Sequence, residues 1–127
     1  MNFLQKVTCV STLLFCTTAA HAAAGDDYKF FGSMAAVSEQ CINSSQISDR
    51  INVVVPAAVQ QNPQITELMN SLIQVYNAAY TKAMVDGQVW EASSNGTFGY
   101  TRPFNCRNQE DLKKFKFYHD YVLKALS

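Results

Sequence analysis

The chain has 127 residues, of which 48% are hydrophobic and 16% charged, and its ten basic side chains balance ten acidic ones. That length suits one domain with a modest single core. The even charge, with no strong block of either sign, speaks against nucleic acid or an anionic membrane as the partner, since both call for a basic surface.

The chain opens with MNFLQKVTCVSTLLFCTTAAHAAAG, in which Lys6 precedes an apolar run from Val7 to Phe15 and small residues follow as far as Ala24. This is the pattern of a secretory signal peptide. The run is far shorter than the roughly 20 residues a spanning helix needs, and nothing later in the chain is apolar for as long, so no membrane span is expected. Residues 1–22 are read as the leader, with cleavage as late as Ala24 still compatible, and 23–127 as a single helical domain, periplasmic or secreted. A lipoprotein signal ending at Cys16 is disfavoured by Phe15, where that processing needs a small residue. Cys9 and Cys16 leave with the leader, which puts Cys41 and Cys106 alone in an oxidising compartment and predicts one disulfide between them. A zinc or redox pair would need a close CxxC or accompanying histidines. The mature chain has no CxxC and only His119, so no metal and no cofactor are expected.

The segment from Asp26 to Cys41 places Phe31, Met34, Ala35, Ser38 and Cys41 at helical spacing, which predicts a first helix from about 27 to 41. Asp26 and Asp27 suit its N-terminal dipole, while Gly32 weakens it. Ile51-Asn-Val-Val-Val55 favours a strand by composition, yet a lone strand would leave its backbone groups unpaired. A second helix is predicted instead, capped by Ser44 or Ser45, with Pro56 kinking or restarting it. Asn62 then acts as N-cap with Pro63 in the first turn. From there Ile65, Leu68, Met69, Leu72, Tyr76, Ala79, Tyr80 and Ala83 follow at helical spacing to Asp86, or to about Glu91 if Gly87 is tolerated. Ile73, Val75 and Met84 widen its apolar face, so this helix is expected at the centre with neighbours on two sides.

ASSNGTFGYTRPFNC breaks every period and reads as a long irregular loop, although Asn95-Gly96 can also seed a hairpin with Trp90 and Tyr100 on opposite sides. The last helix opens at Asn108 with Glu110 and Asp111 and closes near Lys124, matching the dipole at both ends. Leu112, Phe115, Tyr118 or His119, Val122 and Leu126 form its apolar face. The expected fold is all-α: a small four-helix bundle stapled by one disulfide, with the long loop before the last helix.

Chemistry is sparse in this sequence. His119 has no nucleophile or orienting acid at a recognisable spacing, and Asp120, being adjacent on a helix, is expected to point elsewhere. There is no phosphate-cradling glycine loop, HExxH, GxSxG or calcium loop, so no catalytic residues and no enzyme activity are expected. The lysines at 113, 114, 116 and 124 alternate with aromatics and read as the solvated face of an amphipathic helix. The group that stands out is Trp90, Phe98, Tyr100 and Arg102, because Trp, Tyr and Arg are enriched at binding hot spots and loops on rigid scaffolds carry binding residues. These four are the candidate partner-binding residues, and Tyr100 and Arg102 are the ones expected to face outward. A packing role for the rings, capping the open end of the bundle, is the competing reading.

A cysteine ending the first helix in SEQC, a central helix with small residues and tyrosines in VYNAAYTKAMVDG, and RPFNCRNQEDLKKF before a final amphipathic helix together resemble the periplasmic Tai-type immunity proteins of type VI secretion. The resemblance spans most of the mature chain. It implies a binding protein that inhibits or sequesters a partner protein, a toxin or effector enzyme, usually an amidase. Two other classes fit a small secreted helical domain: a periplasmic stress chaperone of the HdeA kind, and a self-assembling secreted or virulence component. A homodimer is compatible with all three.

Overall fold

The computed structural model describes residues 18–92 and 99–127, with side-chain surroundings from Ala24 to Glu91 and from Gly99 onward. The first 17 residues of the expected leader, and Phe98, lie outside the described residues. Among the described residues four helices, α1 (Thr18–Cys41), α2 (Gln46–Gln61), α3 (Thr66–Asp86) and α4 (Gln109–Ala125), are joined by a 3-10 turn at Pro63–Ile65 and by two strands, β1 (Gln88–Ala92) and β2 (Gly99–Pro103). The protein is therefore mostly helical, but the all-α expectation is corrected: the flanks of the expected irregular loop pair as an antiparallel two-stranded sheet. Val89 and Trp90 suit a pleated, half-buried surface, and pairing satisfies backbone groups that a buried irregular segment would leave unbonded.

Helix α1 is already formed at Thr18, the first described residue, earlier than the spacing of core residues suggested. The alanine-rich stretch from 19 to 24 has the highest intrinsic helix propensity and carries the helix back. All eight residues from Phe31 to Ser38 are buried, and α1 touches α2, α3, α4 and β1. The central helix is thus α1, where the sequence had pointed to α3. Gly32, Ser33, Ala35, Ala36 and Ser38 are small enough for neighbours to approach α1 from every side. At Gly32 the approach is closest: a Cβ there would sit 2.1 Å from the backbone oxygen of Tyr76 on α3.

Helix α2 runs unbroken through Ile51–Val55, with Pro56 inside it, and buries Ile47, Ile51, Val54 and Ala58 at successive turns. Its spacing of apolar residues, not the β-branched composition, decides its form. Asn62 accepts a hydrogen bond from the Gln64 amide at 3.2 Å, and Gly87 closes α3 in the left-handed region at φ 65°, which glycine adopts without strain. Asn108 accepts the Asp111 amide at 3.0 Å and caps α4. Phe115, His119 and Val122 are the buried side chains of α4. Polar ties cross between the elements: Ser48 to Tyr76 at 3.1 Å, Arg50 to the Leu126 carbonyl at 3.2 Å, and the Tyr80 hydroxyl donating to Glu39. That carboxylate, with burial, pushes the Tyr80 phenol up to about 12. Cys41 and Cys106 are bonded at S–S 2.03 Å, joining the end of α1 to the segment before α4 across 65 positions of sequence.

Candidate functional site

The two strands align Val89 with Arg102, Trp90 with Thr101 and Glu91 with Tyr100. Residues directly opposite in a strand pair share a face. One face therefore carries Val89, Glu91, Tyr100 and Arg102, and the other carries Trp90, Gly99 and Thr101. Trp90 and Tyr100 stand on opposite sides of the hairpin.

Trp90 is buried. Its indole covers Gly99 so closely that a Cβ there would fall 1.8 Å from the ring, and Lys29 of α1 lies over the same ring, 5.4 Å from its centroid. The Trp90 amide donates to the Ser33 hydroxyl of α1 at 2.9 Å. The tryptophan locks the hairpin onto α1.

The other face carries an ionic cluster. Glu91 is 2% exposed, and its carboxylate accepts Arg102 Nε at 2.6 Å while Lys114 Nζ lies 3.9 Å away. Arg102 also reaches Asp111 of α4 at 2.9 Å, and its guanidinium lies 5.9 Å from the Phe115 centroid. Asp111 in turn accepts the Asn105 amide at 3.1 Å. Partial burial would raise the Asp111 pKa, but hydrogen bonds from Arg102 and the Asn105 amide, with the charges of Arg102 and Lys114, hold it below the ordinary value. For Arg102 burial acts downward, and its two carboxylates outweigh this and raise its pKa. Arg102, expected to face outward, is turned inward because Glu91 would otherwise be a buried charge without its guanidinium partner, which is costly. Phe104 packs edge-on against Phe115 at 5.7 Å.

Arg102→Ala is accordingly expected to lower stability by about 2 kcal/mol at neutral pH, a figure reduced from the fully buried case for Arg102's partial exposure. The sign of the pH effect follows from Asp111. Its depressed folded pKa contributes stability that is present above the ordinary aspartate range and is lost as pH falls through the folded value. The gap between wild type and variant should therefore narrow in acid, which urea unfolding at a series of pH values would measure. A gap that stays constant would remove Asp111 from the account.

Tyr100 remains outward at 40% exposure. It is the one candidate partner-binding residue, of the three within the described residues, whose ring is free of a structural task. The sequence reading missed two further exposed rings, Phe117 and Tyr121, at 67% and 58% exposure on α4. Their spacing to each other, off the Phe115–Val122 face, was the available signal.

The remaining cluster surrounds His119. Contrary to expectation, Asp120 does contact it: Asp120 Oδ1 lies 3.1 Å from His119 Nδ1, while Nε2 meets the Ser44 hydroxyl at 2.9 Å. Adjacent side chains on a helix diverge, but the aspartate turns back to the ring. Ser44, Asn43, Lys116, His119 and Asp120 line a cleft of about 600 Å³. A serine on an imidazole that meets a carboxylate has the order of groups used in acyl transfer. Here, however, the carboxylate is 84% exposed, so water competes for it, and the Ser44 hydroxyl also receives the Gln46 amide at 3.4 Å. The arrangement ties the turn after α1, where Asn43 takes a left-handed φ of 54°, to α4 beside the disulfide. Among the described residues no group of three or more His, Cys, Asp or Glu side chains is placed to hold a metal ion, and no helix is long and apolar enough to cross a membrane.

No known protein family, curated protein or solved structure matches this chain.

Proposed function

We propose that the protein is a periplasmic or secreted binding protein that inhibits or sequesters another protein, in the manner of an immunity protein. The observation that carries this reading is the exposed ring of Tyr100 on a strand pair that Trp90 and Arg102 hold in place. Trp90 fixes the hairpin to α1 and Arg102 fixes it to α4, so little conformational freedom is lost when a partner packs on the ring. Tyrosine at such a position gives apolar area with a polar tip. In this reading Tyr100 makes the contact, Trp90 and Arg102 position it, and Phe98 belongs to the same region. The four helices form a bundle that serves as the rigid scaffold. The likeness of SEQC, VYNAAYTKAMVDG and RPFNCRNQEDLKKF to Tai-type immunity proteins supports a toxin or effector enzyme as the partner, and the protein itself works without catalysis or cofactor.

The test is binding to the product of the neighbouring gene. Tyr100→Ala is expected to weaken that complex about tenfold, equivalent to about 1.4 kcal/mol, while the melting temperature stays within error of wild type. Unchanged affinity, or a loss of stability as large as the loss of binding, would sink the proposal.

A further inference from the structure

Helix α4 spends Phe115, His119, Val122 and Leu126 on the core. Its opposite face is neither plainly polar nor of one sign. At 3.6 residues per turn, Glu110, Phe117 and Lys124 fall within about 20° of one line, with Lys113 and Asp120 along one flank and Tyr121 along the other. All six are exposed. The rings continue onto α1: Phe117 meets Tyr118 at 5.8 Å, and Phe30 lies 5.3 Å from Tyr118 and 6.4 Å from Tyr121, edge to face. Lys114, the next basic side chain, is turned to Glu91 at 3.9 Å. What the face offers is therefore two acids and two lysines around two rings.

We infer that this face of α4 pairs with the same face of a second copy of the chain, the two helices running antiparallel about a two-fold axis at Phe117. The order of charges selects both the occupant and the direction. A two-fold at Phe117 brings positions equally far before and after it to the same level. Glu110 then meets the partner's Lys124, seven residues to either side. Lys113, four residues before the axis, meets the partner's Asp120, three residues after it and on the same flank. Each ion pair occurs twice, and together they surround Phe117 packed on the partner's Phe117, with Tyr121 beside them. Parallel pairing would set every charge against its own copy. Asp120 is free to take part, because only Oδ1 is placed on His119 and the carboxylate is 84% exposed. The four charges sum to zero, so the face has no net field to draw an acidic or a basic partner, and its two acids oppose an anionic bilayer. The contact is small by the standard of stable dimers, which makes the association weak and reversible. It does not depend on the contact proposed for Tyr100.

Sedimentation equilibrium of the purified, oxidised protein from about 1 µM to about 1 mM covers the range of weak association. The expected result is a monomer at the low end and a dimer at the high end, with added salt weakening the dimer. Phe117→Ser with Tyr121→Ser is expected to leave a monomer throughout, its melting temperature unchanged. Lys124→Glu should weaken the dimer about tenfold, because the pair it reverses occurs twice, and adding Glu110→Lys should restore it. Within one chain those two positions lie about 21 Å apart along the helix, too far for a direct ion pair, so the rescue reports contact across the two-fold. A chain that stays monomeric to the top of the range overturns the proposal. So does a dimer that the two serines leave intact, or a Lys124→Glu loss that Glu110→Lys fails to restore. A monomeric chain whose binding to phosphatidylglycerol vesicles, or to the partner of Tyr100, is lost in the serine variant would assign the face to that occupant and overturn the pairing.

Discussion

Breaking the bridge by Cys41→Ser with Cys106→Ser is expected to lower stability by about 4 kcal/mol, the chain-entropy value for a loop of this length. The bridge encloses α2, α3 and the hairpin, since it links the end of α1 to the residues just before α4 across 65 positions. Without it the unfolded chain regains the freedom of that whole segment. In the folded state α4 keeps its other ties, Arg102 to Asp111 and Phe104 to Phe115, so the variant folds but unfolds at much lower urea. The loss is a large fraction of the net stability of a domain this size. Urea unfolding of the variant and the oxidised wild type would measure it. A difference below about 1 kcal/mol would mean that the denatured chain already holds these ends together.

Gly32→Ala is expected to destabilise by about 3 kcal/mol, although alanine is the better helix former by about 1 kcal/mol. The added methyl would lie 2.1 Å from the Tyr76 carbonyl oxygen and 2.9 Å from its carbon. These are backbone atoms, so relief requires α1 and α3 to move apart along their contact. Gly25, earlier in α1, has nothing within 4 Å of the equivalent position, and Gly25→Ala is the control, neutral or mildly stabilising. Thermal unfolding of both would settle the matter: a Gly32→Ala protein as stable as wild type would show that the crossing has slack.

The limits of α3 and the start of α4 were legible because they carry their own punctuation, whereas the start of α1 and the expected serine cap of α2 were not. Asn62 with Pro63, Gly87, and Asn108 with Asp111 mark ends by local chemistry that no neighbour has to supply, and the disulfide followed from counting the cysteines outside the expected leader. What could not be read was set by partners far away in sequence. Gly32 looked like a weakness in a helix until Tyr76 lay against it. Arg102 looked like a surface cation, since the burial of Glu91, eleven positions earlier, becomes apparent only once the strands pair. Ile51–Val55 could be placed as helix because it had no strand partner, whereas Gln88–Ala92 had one hidden in a segment rich in turn residues. His119 seemed alone because Ser44 reaches it from the turn after α1. Phe117 and Tyr121 passed unnoticed for a different reason: sequence periodicity finds the face a helix buries, and says little of apolar residues left on the other.

The way Trp90 is seated has a practical side. It is the only tryptophan in the chain, and its ring lies against Gly99 and beneath the ammonium of Lys29. Its fluorescence therefore reports whether the hairpin is docked, separately from helix content, which circular dichroism follows. Loss of the tryptophan signal ahead of the helical signal during unfolding would mark the hairpin as an independently opening unit, and coincident loss would show one cooperative transition. The protein carries its own optical gauge for the part of the surface on which its function is proposed to rest.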